Sequence, residues 1–211
     1  MTRDRAILAA LFTATALAAS PQAAMAFEAG DILVRLRGIA VVPDESGSTR
    51  PLNLNIDVST SYAPELDATY FVTPNIAFEL IAATVRHTVK AGGNNLGTTW
   101  VLPPTLTAQY HFFTDEYLIP YVGAGINYTV FYAEDSNSPF KQLNVNNSVG
   151  YALQAGIDFK IPDSSGFYLN ADFKYIFMSP NAHVNLGSTK IRTNNFDLNP
   201  MIFGLGIGYK F

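Results

Sequence analysis

Large apolar residues return at every second position over eight stretches of the chain, and the residues between them are small or polar. Side chains on a β-strand point alternately to opposite faces, so each stretch predicts a strand with one apolar face. The most regular stretch is 200–211 (PMIFGLGIGYKF). Met201, Phe203, Leu205, Ile207, Tyr209 and Phe211 share one face, while Ile202, Gly204, Gly206, Gly208 and Lys210 share the other. Glycine weakens a strand and builds neither a core nor a water-facing surface. The bare face therefore suits a crowded lumen, and the apolar face suits lipid. The other strands are predicted over 31–42, 63–72, 76–85, 102–112, 120–132, 148–159 and 167–177.

The polar stretches between them alternate in length. Residues 43–62, 86–101, 133–147 and 179–197 are long, rich in Ser, Asn, Gly or Pro, and predicted as loops. Thr73-Pro74-Asn75, 114–118 and 162–166 are short turns. Long loops outside the cell and short turns in the periplasm are the layout of an outer-membrane barrel, and an even strand count returns both ends to the periplasmic side. The prediction is an all-β fold: an eight-stranded antiparallel transmembrane β-barrel in the bacterial outer membrane. Aromatic residues near strand ends suit interfacial girdles, with Tyr110, Phe112, Phe113, Tyr117, Phe159, Phe167, Tyr209 and Phe211 low. Tyr62, Trp100, Tyr132 and Phe177 would form the high girdle. Alternation alone also fits a soluble sandwich or lipocalin-like barrel, with the apolar faces inward. The glycines, the loop asymmetry and the terminal Phe211 favour the membrane reading.

Composition sharpens this picture. Hydrophobic residues make up 48% and charged residues 14%, yet after the N-terminus no apolar run is long enough for a transmembrane helix. The net charge of −4 argues against nucleic acid as a partner. Cysteine is absent, which excludes a disulfide scaffold, thiolate catalysis and cysteine-based metal sites. Arg3 and Arg5, the apolar run 6–19 and Ala24-Met25-Ala26 have the form of a signal peptide. Residues 1–26 are expected to be cleaved, leaving 27–211 as the barrel.

Four segments carry a family resemblance: FEAGDILVRLRG (27–38), LPPTLTAQYHF (102–112), PYVGAGINYT (120–129) and NPMIFGLGIGYKF (199–211). In this order they resemble the OmpW family of small bacterial outer-membrane proteins over essentially all of 27–211. The resemblance implies an eight-stranded barrel and passage of small hydrophobic molecules across the outer membrane. It implies no catalytic residues and no cofactor. The closing strand also resembles those of outer-membrane barrels in general, whose terminal aromatic is read by the barrel assembly machinery. Tyr209 and Phe211 would be that signal. The implied partners are outer-membrane lipid, small hydrophobic molecules and the assembly machinery.

If the apolar faces look outward, the inward charges are Arg35, Arg37, Glu65, Asp67, Glu79, Asp158, Asp172, Lys174 and Lys210. Strand direction puts them in the periplasmic half or near the middle. Buried ions must be paired, so they read as a salt-bridge plug, with a proton relay or ion-selective pore as the functional alternatives. An eight-stranded barrel holds little more than side chains, which argues against a wide aqueous pore. The same parity lines the upper lumen with Ile39, Val41, Ile81, Ala83, Val85, Phe131, Ala152, Ile176 and Ile202. These residues form either a packed interior or a cup for apolar molecules. Proline breaks a ladder of hydrogen bonds, so Pro103 and Pro104 mark a candidate lateral opening. His87 and His183 fall in predicted loops and His111 at a strand end, and no Ser-His-Asp set is visible. The reading is a channel for small hydrophobic molecules with lateral release. The alternative is a structural or adhesive barrel acting through its loops.

Overall fold

The computed structural model describes residues 27–137, 140–164 and 166–211, so the predicted signal peptide lies outside the described residues. The strands are β1 (Ile32–Val42), β2 (Glu45–Arg50), β3 (Ile56–Val58), β4 (Ser61–Phe71), β5 (Ile76–Ala83), β6 (Val85–Ala91), β7 (Asn94–Leu102) and β8 (Thr105–His111). They continue with β9 (Leu118–Ser136), β10 (Phe140–Val145), β11 (Ser148–Lys160), β12 (Phe167–Met178), β13 (Ala182–Leu186), β14 (Thr189–Leu198) and β15 (Met201–Lys210). Eight of them, β1, β4, β5, β8, β9, β11, β12 and β15, pair antiparallel in a closed ring. Closure removes every sheet edge, which a wall in hydrocarbon requires. The ring shuts between β1 and β15, from Leu33 opposite Lys210 to Val42 opposite Met201.

The direction of the faces separates a membrane barrel from a lipocalin-like one. Leu36, Leu66, Leu80, Leu106, Ile126, Leu153, Leu205 and Ile207 point outward, each between 45% and 72% exposed. An apolar belt of that extent belongs in lipid. Tyr62, Trp100, Tyr132 and Phe177 are exposed towards the end with the long connections. Tyr110, Phe112, Phe113, Phe167 and Phe211 are exposed at the other. The short turns there are tied by their own side chains. Thr73 Oγ1 accepts from the backbone N–H of Ile76 at 2.9 Å, and Asn75 Nδ2 donates to the His111 carbonyl at 2.8 Å.

Three expectations are corrected. The stretches 43–62, 86–101, 133–147 and 179–197 are largely strands, not loops. The strands β6 and β7 form a hairpin that also pairs with the upper part of β9, and β10, β13, β14 and β2 form a separate four-stranded sheet. Their inward positions mix Val85, Val101 and Val145 with Thr49, His87 and Thr99, and bulges interrupt their ladders, so they carry no clean alternation to read. Second, residues 102–112 are not one strand. Ladder pairing stops at Leu102 and resumes at Thr105, with Pro103 and Pro104 between. Third, His87 and His183 lie within β6 and β13 rather than in loops. The barrel wall therefore rises well above the membrane belt.

This topology fixes which turns face outward. An epitope inserted after Gly93 or Gly187, at the hairpin tips of β6–β7 and β13–β14, should be labelled by antibody on intact cells. An epitope at Pro74 or Ser164 should be labelled only after permeabilisation.

Candidate functional site

The lumen is layered. At the periplasmic mouth Phe27, Leu33, Phe71, Ala77, Ile119 and Tyr168 form a buried apolar cluster. Phe27 stacks on Phe71 with centroids 4.1 Å apart. Lys210 Nζ lies here, 2.9 Å from Asp31 Oδ2 and 5.8 Å from the Phe27 ring, apart from the main set of charges.

Above this cluster the barrel is filled by ions. Arg35 is fully buried. It donates to both oxygens of Asp158, from Nε at 3.0 Å and Nη2 at 2.7 Å, and from Nη1 to Asp67 Oδ1 at 3.0 Å and Thr69 Oγ1 at 2.7 Å. Arg37 donates to Asn170 Oδ1 at 2.6 Å, Glu65 Oε1 at 3.0 Å and Glu79 Oε1 at 3.0 Å. Its Nη1 also lies 2.8 Å from Asp67 Oδ2, but off the hydrogen-bonding direction, so that oxygen is held by charge alone. Lys174 Nζ donates to Glu65 Oε1 at 2.8 Å and Asp172 Oδ1 at 2.7 Å.

Neutral groups complete the layer. Gln154 Nε2 donates to Glu79 Oε2 and Asp172 Oδ2, both at 2.8 Å. Gln109 Nε2 donates to Glu79 Oε2 at 2.7 Å, and the Tyr121 hydroxyl to Asp172 Oδ2 at 2.7 Å. Carboxyl groups outnumber cations in this layer, with Glu65, Asp67, Glu79, Asp158 and Asp172 facing Arg35, Arg37 and Lys174.

The adjacent strands bring these partners into register. Arg35 lies opposite Asp67 and Arg37 opposite Glu65 on β1 and β4. On the other side of β1, glycines make the room. A side chain at Gly206 would collide with the Arg37 backbone and Cγ, and one at Gly208 would sit 3.1 Å from Arg35 Cγ. Gly156 does the same for Tyr121, whose ring occupies the space that a Cβ would take. The glycine face of the closing strand thus serves the arginines.

Above the ions lies an apolar cup of about 80 Å³. Ile39, Val41, Ile81, Ala83, Val85, Phe131, Ile176 and Ile202 line it. Ala152 is buried in the adjoining apolar cluster. Glu65 and Lys174 reach its floor, and Pro103 reaches its side. The outer strands add Ile56, Val101, Val145, Phe196 and Leu198. The polar composition of 43–62, 86–101, 133–147 and 179–197 predicts loops there and hides these residues from the sequence reading. Tyr121, Gln109, Gln154 and Asn170 escaped it for lack of charge. The signal for Tyr121 was its parity with Gly123, Gly125 and Asn127.

One side of the cup lacks rungs. The ladder between β5 and β8 ends at Ile81 opposite Thr105, and that between β6 and β7 begins at Val85 opposite Val101. Residues 82–84 and 102–104 face each other between them without ladder pairs. Pro103 and Pro104 are tied to the opposite neighbour. Asn127 Nδ2 donates to their carbonyls at 3.2 and 3.4 Å, and the Tyr128 N–H to Pro104 at 3.0 Å. On the outer surface the hydroxyls of Thr84 and Tyr132 meet at 2.5 Å across this gap.

Residues 28–211 match the OmpW family. The chain belongs to that family. Outer membrane protein W of Vibrio cholerae is 34% identical over 221 residues, covering 98% of this chain and 96% of that protein. An uncharacterised outer-membrane protein, y4mB of Sinorhizobium fredii, is 38% identical over 84% of this chain and 79% of its own length. Among solved structures, the outer-membrane protein OprG of Pseudomonas aeruginosa superposes with a TM-score of 0.77 at 28% identity, covering 88% of this chain and 98% of that one. The barrel is a bacterial outer-membrane protein of the OmpW type.

The ion layer of this OmpW-family barrel should dominate its stability. Asp158→Asn leaves the buried Arg35 without its two-point carboxylate partner and should cost about 3–5 kcal/mol. Gly206→Val should displace Arg37 and cost at least about 1–3 kcal/mol by overpacking alone. Both shifts are read from urea unfolding followed by the gel mobility of unheated protein. Asp163→Asn, in an exposed turn, should change stability by less than about 0.5 kcal/mol.

Proposed function

We propose that this barrel takes small hydrophobic molecules from outside the cell into the apolar cup and releases them sideways into the outer membrane. The observation that carries this reading is the cup's position, closed beneath by paired ions and bounded at one side by a wall without rungs. An apolar solute moving straight through would have to displace buried ions from their partners, at a cost of several kcal/mol. The side exit needs only the parting of residues 82–84 from 102–104. Pro103 and Pro104, which donate no backbone hydrogen bond, keep that gap from zipping shut. The barrel acts as a conduit and carries out no catalysis. His87, His111 and His183 stand on three different strands, and His111 is enclosed by the rings of Phe71 and Tyr121 at 4.9 Å each.

Ile81→Asp puts an unpaired charge in the cup and should reduce uptake of an apolar dye by proteoliposomes about tenfold or more. Pro103→Ala with Pro104→Val should let the wall pair further and also reduce uptake, with the folded barrel retained. Normal uptake by both variants would overturn lateral release through this gap. It would favour the adhesive reading instead, for which the sheet of β10, β13, β14 and β2 offers an ordered outer surface.

Tyr209 and Phe211 act in the same proposal as the signal to the barrel assembly machinery. Phe211 is 72% exposed, and its N–H donates to the Ile32 carbonyl at 2.8 Å. Its ring contributes on the order of 2 kcal/mol at most. Deleting Phe211 should therefore leave refolding in detergent nearly unchanged while lowering the amount assembled in the outer membrane. Normal assembly of the deletion would remove this role.

A further inference from the structure

The floor of the cup is not uniformly apolar, and its chemistry selects among hydrophobic molecules. Glu65 and Lys174 both line the cup while remaining nearly sealed, at 2% and 1% exposure. Glu65 Oε1 accepts from both Arg37 and Lys174. Among the described residues its second oxygen, Oε2, accepts no hydrogen bond, and the residue borders the cup. Lys174 Nζ has three protons and gives two, to Glu65 Oε1 and Asp172 Oδ1. An acceptor and a donor with capacity to spare thus stand together at the bottom of a largely apolar cavity, where the hydroxyls of Thr105 and Thr129 already donate to the Pro103 carbonyl and Asn127 Oδ1. A buried charged oxygen without a partner is costly, so a ligand that supplies one gains by it.

We propose that the cup selects small apolar molecules carrying one terminal hydroxyl, seated with the hydroxyl donating to Glu65 Oε2 and accepting from Lys174 Nζ. This rests on the uptake reading above and names its substrate class. The two oxygens of a carboxylate are neighbours, so a single hydroxyl beside the 2.8 Å Glu65–Lys174 pair reaches both groups. Other head groups satisfy only half of the floor. An ester or aldehyde accepts but cannot donate, which leaves Oε2 bare. A carboxylate meets Glu65 in a layer where carboxyl groups already outnumber cations. An ammonium meets Lys174. A plain hydrocarbon leaves both groups unpaired, and sites built to hydrogen-bond a hydroxyl reject the analogue that lacks it. The apolar chain then extends upward past Ile39, Ile81, Ile176 and Ile202.

The test uses the full barrel in lipid nanodiscs with isotope-labelled isoleucine methyl groups. Ile39 and Ile81 report the cup, whereas Ile126 and Ile207, which face lipid, report partitioning into the bilayer. The probes are 1-hexanol, hexane, hexanoate and hexylamine. 1-Hexanol should saturate the Ile39 and Ile81 shifts at a concentration roughly tenfold or more below that of hexane, with hexanoate weaker still and hexylamine weaker than 1-hexanol. Replacing the pair together, Glu65→Leu with Lys174→Met, removes both polar groups without leaving either unpaired by the other. The alcohol and the hydrocarbon should then differ by less than about threefold. If the double variant does not fold, the wild-type order alone decides. Equal binding of hexane and 1-hexanol by the wild type, or a preference that survives the double substitution, would overturn the hydroxyl site while leaving uptake intact. If no probe shifts Ile39 or Ile81 while Ile126 and Ile207 respond, the uptake reading itself fails.

Discussion

Two guanidinium groups inside a narrow barrel set the terms for the rest of this structure. Arg35 and Arg37 stand on adjacent inward positions of β1 and are sealed from solvent. An uncompensated buried charge is among the costliest features a fold can carry. The surrounding wall answers it strand by strand. The strand β4 supplies Glu65 and Asp67, β5 supplies Glu79, and β8 supplies Gln109. On the far side β9 supplies Tyr121, β11 supplies Gln154 and Asp158, and β12 supplies Asn170, Asp172 and Lys174. The closing strand supplies space, since its glycines lie against the arginine stems. A register slip of one residue anywhere in the ring would turn one of these groups into lipid. The ion layer therefore specifies register as well as filling the lumen.

The same layer divides the lumen in two. Below it, Phe27 and its aromatic neighbours cover the periplasmic mouth. Above it, the lumen becomes apolar within one inward step on three strands: Arg37 is followed by Ile39, Glu79 by Ile81, and Lys174 by Ile176. On β8 and β9 the inward positions stay polar for longer, with Thr107 and Thr105 on one and Asn127 and Thr129 on the other. The cup is thus floored by paired ions, and the wall beside Pro103 lacks ladder pairs.

The outer strands extend this architecture beyond the membrane. Val85, Val101, Val145 and Leu198 continue the lining upward, so the cup is deeper than the membrane-spanning ring. These walls are polar on their outer faces, which suits water rather than lipid.

Much of this was legible in the order of residues. Period two marked the eight strands of the ring, and the same parity put Arg35, Arg37, Glu65 and Asp67 on one face and Leu36 and Leu66 on the other. Alternation is a local property of the strand, so a single sequence can display it. Which face turned inward is not local. A lipocalin-like barrel and a membrane barrel share the pattern and differ only in the curvature given to it, and the exposed apolar belt of the closed ring decided between them. The outer hairpins were not legible, because their inward positions mix Val85, Val101 and Val145 with Thr49, His87 and Thr99, and bulges interrupt their ladders. Tyr121, Gln154 and Asn170 were hidden as neutral residues whose role depends on meeting Asp172, Glu79 and Arg37 across the lumen. The sequence by itself determined the strands, the parity of their faces and the proline interruption. Only tertiary structure decided which charges meet, that Glu65 and Lys174 reach the floor of the cup, and that the break in the wall lies beside them. Those are distances between residues far apart in the chain, and they exist only once the ring has closed.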